Sequence, residues 1–140
     1  MLGVRLAVDY SGTKPEYVFA PQLLRAHVDC EREVLSMAGI ELAVRVPPDA
    51  FDVLGGHTAA IAGADLPTLL GHLGVGLDAG IGVHVTGDGV RAFAFLTPRA
   101  VAANLSFGSR LGWELGRGRI VELEARALIP FAGATPGKFW

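Results

Sequence analysis

His27 and Cys30 are the first residues whose types and spacing could support chemistry. On a helix, side chains three positions apart share one face, where these two could ligate a metal or act as a base and a thiol nucleophile. A tetrahedral zinc site needs more ligands, and the chain has no second cysteine. A small cysteine near an apolar helix face usually fills the core, and acidic Asp29 and Glu31 disfavour a reactive thiolate. We therefore expect Cys30 to be structural and predict no metal or other cofactor.

The segment Gly55-Gly-His57-Thr58 is the most site-like stretch of the sequence. Loop glycines allow a ligand to approach the backbone closely, and a histidine can act as an acid or a base near neutral pH. The nearest acids in sequence are Asp49, Asp52 and Asp65. Only the fold can bring one of them to the histidine, and surface histidines beside loop glycines also occur without function. His57 is therefore the candidate catalytic or ligand-binding residue.

Other motifs that carry chemistry are absent from the sequence. Three Gly-x-Gly pairs, at residues 74–76, 80–82 and 87–89, resemble phosphate loops, but none continues into Gly-x-x-x-x-Gly-Lys-Ser/Thr. The chain also lacks Gly-x-Ser-x-Gly, His-Glu-x-x-His and paired-cysteine motifs. Sequence therefore makes no specific case for an enzyme.

A long amphipathic helix over residues 22–38 is the main predicted element. Pro21 suits a first helical turn, apolar residues recur at helical spacing with charged residues on the other face, and Gly39 suits the position after a helix end. Shorter helices are predicted over residues 50–54, 66–73 and 98–104.

Alternation of apolar and polar residues predicts strands over residues 2–8 and 40–46. Two C-terminal hairpins are predicted to join 81–85 to 90–96 and 105–115 to 121–129, the second through a turn at residues 116–119. In the second hairpin we expect the Leu, Phe and Trp side chains to be buried and the arginines and glutamates to face water. The fold class is therefore α+β, with one long helix and short helices packed on a mainly antiparallel sheet. Residues 1–129 form one domain, and residues 130–140 form a Pro/Gly/aromatic tail.

Composition indicates that apolar residues reach the surface. The chain has 140 residues, 51% hydrophobic and 19% charged, with a net charge of −2. A soluble domain carries about 25% charged residues, and exposed apolar surface usually meets a partner. We therefore expect association with copies of the chain or with other protein subunits.

Several classes of partner and location are disfavoured by the sequence. The bases are interleaved with acids, which argues against nucleic acid. No uninterrupted apolar stretch suggests a signal peptide or a membrane span, so we expect a cytoplasmic protein, or one assembled from the cytoplasm into a larger particle. The alternating C-terminal strands and terminal Phe139 and Trp140 are also typical of outer-membrane barrels. Such a barrel needs at least eight strands of about ten residues and an export signal, and the predicted long helix occupies the chain that the strands would require, so we expect no such barrel.

The predicted function is a non-enzymatic structural subunit of an oligomeric assembly such as a virion, phage tail or secretion machine. Its docking anchors would be Phe131, Phe139 and Trp140, because aromatic side chains dominate interface energetics. One alternative is a small-molecule-binding domain or cryptic enzyme centred on the Gly55–Thr58 segment. Another is a regulatory protein whose tail docks onto a single client.

Overall fold

Alternation with a period of two runs through nearly all of the chain, and the structure, a computed structural model, is all-β. It describes residues 1–29, 31–48, 55–67 and 73–129. Within these residues each strand pairs with the next in antiparallel fashion, and the last pairs with the first, so that eight strands close into a barrel. The strands are β1 Leu2–Asp9, β2 Glu16–Asp29, β3 Val34–Val46, β4 Gly55–Pro67, β5 Leu73–Thr86, β6 Gly89–Ala102, β7 Leu105–Glu114 and β8 Gly118–Ile129.

The predicted long helix over residues 22–38 is wrong, and so is the α+β fold class. Those residues form the second half of β2, a charged turn and the start of β3. Gln22 and Leu24 point inward while Leu23 and Arg25 point outward, so the apolar residues alternate between two faces of a strand. Among the described residues no helix is long and apolar enough to cross a membrane.

The short helix predicted after Thr97 is also wrong. Thr97 and Pro98 lie within β6, with Thr97 inside the barrel and Pro98 outside. The β6–β7 pairing passes from Leu96 to Arg99 without them, because proline has no N–H for a ladder hydrogen bond. Leu66 and Pro67 end β4. The rest of the predicted 66–73 helix up to residue 72, and the predicted 50–54 helix, fall outside the described residues.

The predicted strands and both hairpins are confirmed, but the buried face is reversed. The turn between β5 and β6 lies between Thr86 and Gly89, and the turn between β7 and β8 lies between Glu114 and Gly118. In β7 and β8, however, the predicted solvent-facing side chains are buried, namely Arg110, Glu114, Glu122, Glu124 and Arg126. Most of the predicted core side chains are exposed, namely Leu105, Phe107, Leu111, Trp113 and Leu123.

Strand register sets how the strands tilt. Followed strand by strand, the paired positions run through Leu2, Leu23, Ile40, Ala60, Ile81, Ala94, Trp113 and Arg119. Continuing the β8–β1 register beyond Asp9 and Glu122 returns this line to position 12, ten residues past its start. Such a stagger over eight strands corresponds to a tilt of roughly 40° from the barrel axis.

The barrel has two distinct ends. At the terminal end β1, β3, β5 and β7 begin and β2, β4, β6 and β8 end. At the far end β1, β3, β5 and β7 end and β2, β4, β6 and β8 begin. Each strand therefore runs from one end of the barrel to the other. The position of a residue along its strand gives its height along the barrel axis.

Candidate functional site

Charged and polar side chains line the barrel interior. Arg5, Glu41 and Glu122 are fully buried, with 0% relative exposure. They reach the interior because strand alternation sends every second residue inward. The other buried ionisable side chains are Asp9, Arg45, His57, Asp65, Asp78, His84, Arg99, Arg110, Glu114, Glu124 and Arg126.

Glu41 on β3 is the centre of the largest network. Arg5 donates to its carboxylate from Nε and Nη2, both at 2.9 Å. Arg110 donates from Nη1 at 2.8 Å and from Nη2 at 3.1 Å. Gln22 Nε2 and His57 Nε2 each lie 2.6 Å from a Glu41 oxygen. Two guanidinium groups thus each donate two hydrogen bonds to one carboxylate. Such bidentate, charge-assisted hydrogen bonds are among the strongest in proteins.

Glu122 on β8 carries this network toward the far end. Arg5 Nη1 donates to Glu122 at 2.6 Å, and Arg45 Nη2 donates to it at 2.7 Å. Arg45 also binds Asp9 at the far end of β1. Beside this network of ion pairs, His84 Nδ1 lies 2.7 Å from Glu114 Oε1.

A second cluster lies toward the terminal end. Arg99 on β6 pairs with Asp65 on β4 and with Asp78 on β5. Arg126 Nη1 on β8 donates to Asp78 at 2.7 Å. Through Arg126 this cluster links β8 to the consecutive strands β4, β5 and β6.

Aromatic side chains fill the interior beside the charged network. Phe93 and Phe95 on β6 stack with ring centroids 5.9 Å apart, and the Arg110 guanidinium lies 3.8 Å from the Phe95 centroid. The Phe95 ring crosses the inner face of Gly80, where any Cβ would overlap it, so glycine is required there. A cavity of about 10 Å³ near Asp9 at the far end has room for about one water molecule. Around Phe93, Phe95 and Arg110 the interior of the barrel is therefore filled with side chains.

His57, the predicted site residue, lies in this interior. Gly55-Gly-His57-Thr58 begins β4, so it is a strand segment and not the predicted loop. The His57 partner is Glu41, not one of the acids nearest in sequence, and its ring meets Phe93 edge-on at 5.2 Å. Asp65 belongs to the terminal-end cluster, and Asp49 and Asp52 lie outside the described residues.

The remaining predicted site residues are not brought together. His27 is on the outer face of β2 near the terminal end, where its carbonyl accepts a hydrogen bond from Ser36. Cys30 and the predicted anchors Phe131, Phe139 and Trp140 lie outside the described residues, so the docking tail stays a prediction. Among the described residues no three His, Cys, Asp or Glu side chains are grouped to hold a metal.

The outer face of the barrel is apolar around its circumference. Of its large side chains Ile81 on β5 is the most exposed, at 67%. Small residues such as Ala60 and Ala94 lie on either side of it. We call this surface the apolar band; its large members include Leu6, Phe19, Leu23, Ile40, Leu42, Val44, Val75, Leu77, Ile81, Val83, Leu96, Phe107, Leu111, Leu123 and Ile129.

Three amphipathic aromatic residues lie at one height near the far end. Tyr10, Tyr17 and Trp113 are exposed by 52%, 55% and 58%. With a rise of ~3.3 Å per residue, strands ~4.8 Å apart and a ~40° tilt, the register places them within about 2 Å of a common level. We call these three residues the aromatic belt.

Two arginines mark the edges of the apolar band. Arg25 on β2 and Arg119 on β8 are exposed and point outward, toward the terminal end and the far end respectively. The same register arithmetic puts them about 24 Å apart along the axis. Between these levels the outward side chains of the described strands are uncharged.

Comparisons with known proteins give no relative: no family model, no curated protein and no solved structure matches the chain. Function must therefore be argued from the residues themselves.

Sequence reasoning missed the interior residues Arg5, Gln22 and Glu41. A signal was present in β8, where Glu122, Glu124 and Arg126 alternate with apolar residues. The same alternation of charged and apolar positions recurs around Arg5 and around Glu41. Alternation shows that one face is polar, but it does not show whether that face is turned inward.

Proposed function

We propose that this chain is an integral membrane protein whose barrel crosses a lipid bilayer, with the apolar band in contact with the hydrocarbon. The observation that carries the proposal is the reversed distribution of side chains on a closed barrel. Ion pairs such as Arg5–Glu41 are completely buried, while leucine, valine, isoleucine and phenylalanine cover the outside. This arrangement suits a barrel whose surroundings are less polar than its interior.

Closure of the barrel supports this proposal through the backbone. Hydrocarbon offers no hydrogen-bond partners, so each peptide group must be satisfied within the protein. The β1–β8 pairing joins the first strand to the last along eight residue pairs. Within the described strands the sheet therefore has no free edge facing the proposed lipid.

The dimensions of the outer face also suit a bilayer. The separation of about 24 Å between the levels of Arg25 and Arg119 matches the apolar height of ~25 Å typical of membrane barrels. Tyrosine and tryptophan favour the boundary between lipid and water, which fits the level of the aromatic belt. The strands, mostly of 10 to 14 residues, are long enough to span at this tilt.

The filled interior favours a closed barrel over an open pore. Glu41, Arg5 and Arg110 meet across the interior, and the aromatic rings occupy the space beside them. We therefore propose a structural, membrane-embedded role and not a channel for solutes. This proposal differs from the cytoplasmic location expected from sequence. A soluble assembly in which neighbouring subunits cover the band is the alternative, and no other observation favours it.

A depth-dependent arginine scan on β5 tests the proposal. Ile81→Arg places a charge near the middle of the apolar band, whereas Val85→Arg places one at the level of Arg119. Both native side chains point outward and are exposed. In phospholipid vesicles Ile81→Arg is expected to lower the free energy of unfolding by about 2–4 kcal/mol and Val85→Arg by only about 0–1 kcal/mol. Guanidinium unfolding followed by far-ultraviolet circular dichroism measures both values.

Equal losses for the two variants would contradict membrane insertion at this depth. Recovery of the wild-type protein as a folded species in detergent-free buffer, with no association with vesicles, would reject the proposal and favour the soluble assembly. Ala79→Leu is the matched control, because it changes an outward residue of the same strand without adding charge.

A further inference from the structure

We propose that Arg119 and Trp113 form a binding site for the phosphate of anionic phospholipid headgroups at the far end of the barrel. The inference rests on the proposed membrane location and adds a lipid class to it. The two residues are direct partners across the β7–β8 ladder, and both point outward. They lie where the apolar band ends.

Arg119 differs from the other described arginines at the far end. Arg91, at the start of β6, is half-buried on the inward-facing register of its strand, whereas Arg119 is exposed and points outward. Arg45 is buried against Asp9 and Glu122. Arg117 lies within 3.9 Å of carboxylate oxygens of Glu16 and Glu114. Among the residues that the structure describes, Arg119 has no carboxylate within ion-pair distance. Its guanidinium is therefore free to bind an anion supplied from outside the chain.

The position of Arg119 selects the kind of anion. A side chain at the edge of an apolar surface lays its methylene stem along that surface and extends its charged head to the boundary with water. In a bilayer this boundary holds the headgroup phosphates. A guanidinium matches phosphate with two parallel hydrogen bonds, and an indole N–H at the same level can donate another. Trp113 is 58% exposed and so is available to do this.

The opposite edge of the band lacks this combination. Arg25 faces outward near the terminal end, but its ladder partner on β3 is Ala38. Both tyrosines and the described tryptophan lie in the aromatic belt at the far end. The site is therefore assigned to the leaflet that surrounds the far end, with Arg25 providing a single charge at the other leaflet.

Lipid retention on the intact protein tests this site. The full chain is folded into vesicles of equal phosphatidylglycerol and phosphatidylcholine, extracted gently and weighed by native mass spectrometry to count each lipid bound. Since one basic residue near an anionic membrane surface contributes roughly a fivefold gain in binding, the wild type is expected to retain phosphatidylglycerol about fivefold over phosphatidylcholine. Arg119→Gln should bring this ratio close to one, and Arg119→Lys should lower it as well, because an ammonium group cannot offer phosphate two parallel hydrogen bonds.

The control is Arg32→Gln, which removes the same charge from an exposed turn residue whose Nε lies 3.8 Å from Asp29. It is expected to change the ratio less than twofold. If wild type and Arg119→Gln insert equally and retain both lipids alike, the headgroup site is rejected while the membrane proposal stands. Failure of the wild type to insert into either vesicle would reject both. Loss of the preference in Arg119→Lys as well as Arg119→Gln, with both folded, supports a bidentate guanidinium contact.

Discussion

Replacing Glu41 with leucine is expected to lower the free energy of unfolding by about 3–5 kcal/mol. Glu41 is fully buried and accepts hydrogen bonds from both Arg5 and Arg110. Removing the carboxylate takes a negative charge and its hydrogen-bond acceptors away from two buried guanidinium groups. Leucine supplies neither. Leucine is close to glutamate in size, so the loss reports the missing charge more than a cavity. Unfolding by guanidinium chloride in a mild detergent measures the change in the free energy of unfolding.

Two further variants separate this effect from a general loss of stability. Glu31→Leu removes a carboxylate from an exposed turn and is expected to change stability by less than about 0.5 kcal/mol. Glu41→Leu combined with Arg110→Leu removes one charge of each sign, and it should cost less than the sum of the two single variants. Additive losses would show that Glu41 and Arg110 act independently, against the network described.

Local sequence signals predicted part of the fold correctly. The β5–β6 hairpin follows from alternation on both sides of Thr86-Gly-Asp-Gly89, and Thr86 indeed pairs with Gly89. The strands at residues 2–8 and 40–46 follow from the same alternation. These features depend on neighbours in sequence, which the residues alone specify.

The error over residues 22–38 has a local cause. The turn after β2 contains Glu31, Arg32 and Glu33. Together with Arg25, these residues match the spacing of a charged face on one helix. A short charged turn between two alternating strands and a charged face of one helix produce similar patterns over some fifteen residues. Only the pairing of β2 with β3, such as Val28 with Leu35, separates them.

The reversed faces could not be predicted because alternation does not state which face a closed barrel encloses. Alternation in β8 shows that Glu122 and Glu124 share a face, and glutamates are ordinarily expected on the exposed face. Which face is enclosed depends on barrel closure, a contact between β1 and β8 that are separated by most of the chain. The His57–Glu41 contact likewise follows from the β3–β4 register, which brings together side chains that local sequence reasoning treated separately.

Phe95→Ala is expected to lower the free energy of unfolding by about 3–5 kcal/mol, as Glu41→Leu is. The ring is buried at 4% exposure, stacks on Phe93 and supports the Arg110 guanidinium 3.8 Å from its centroid. Its removal leaves a cavity above Gly80 that the rigid barrel wall cannot close, and it withdraws a cation–π contact from an arginine bound to Glu41. The loss should therefore appear both in guanidinium unfolding and as reduced coupling between Arg110 and Glu41 in a double-mutant cycle.

Phe107 is the matched control, because it is a phenylalanine on the outer face with 58% exposure. If the apolar band faces lipid, acyl chains occupy the space that Phe107→Ala vacates, so its cost is expected to be only about 1–2 kcal/mol of lost apolar contact. Phe95→Leu should recover about half of the loss seen with alanine by refilling part of the cavity. Equal costs for Phe95→Ala and Phe107→Ala would mean that the outer face is packed as tightly as the interior. That result would favour a protein neighbour over lipid on the apolar band.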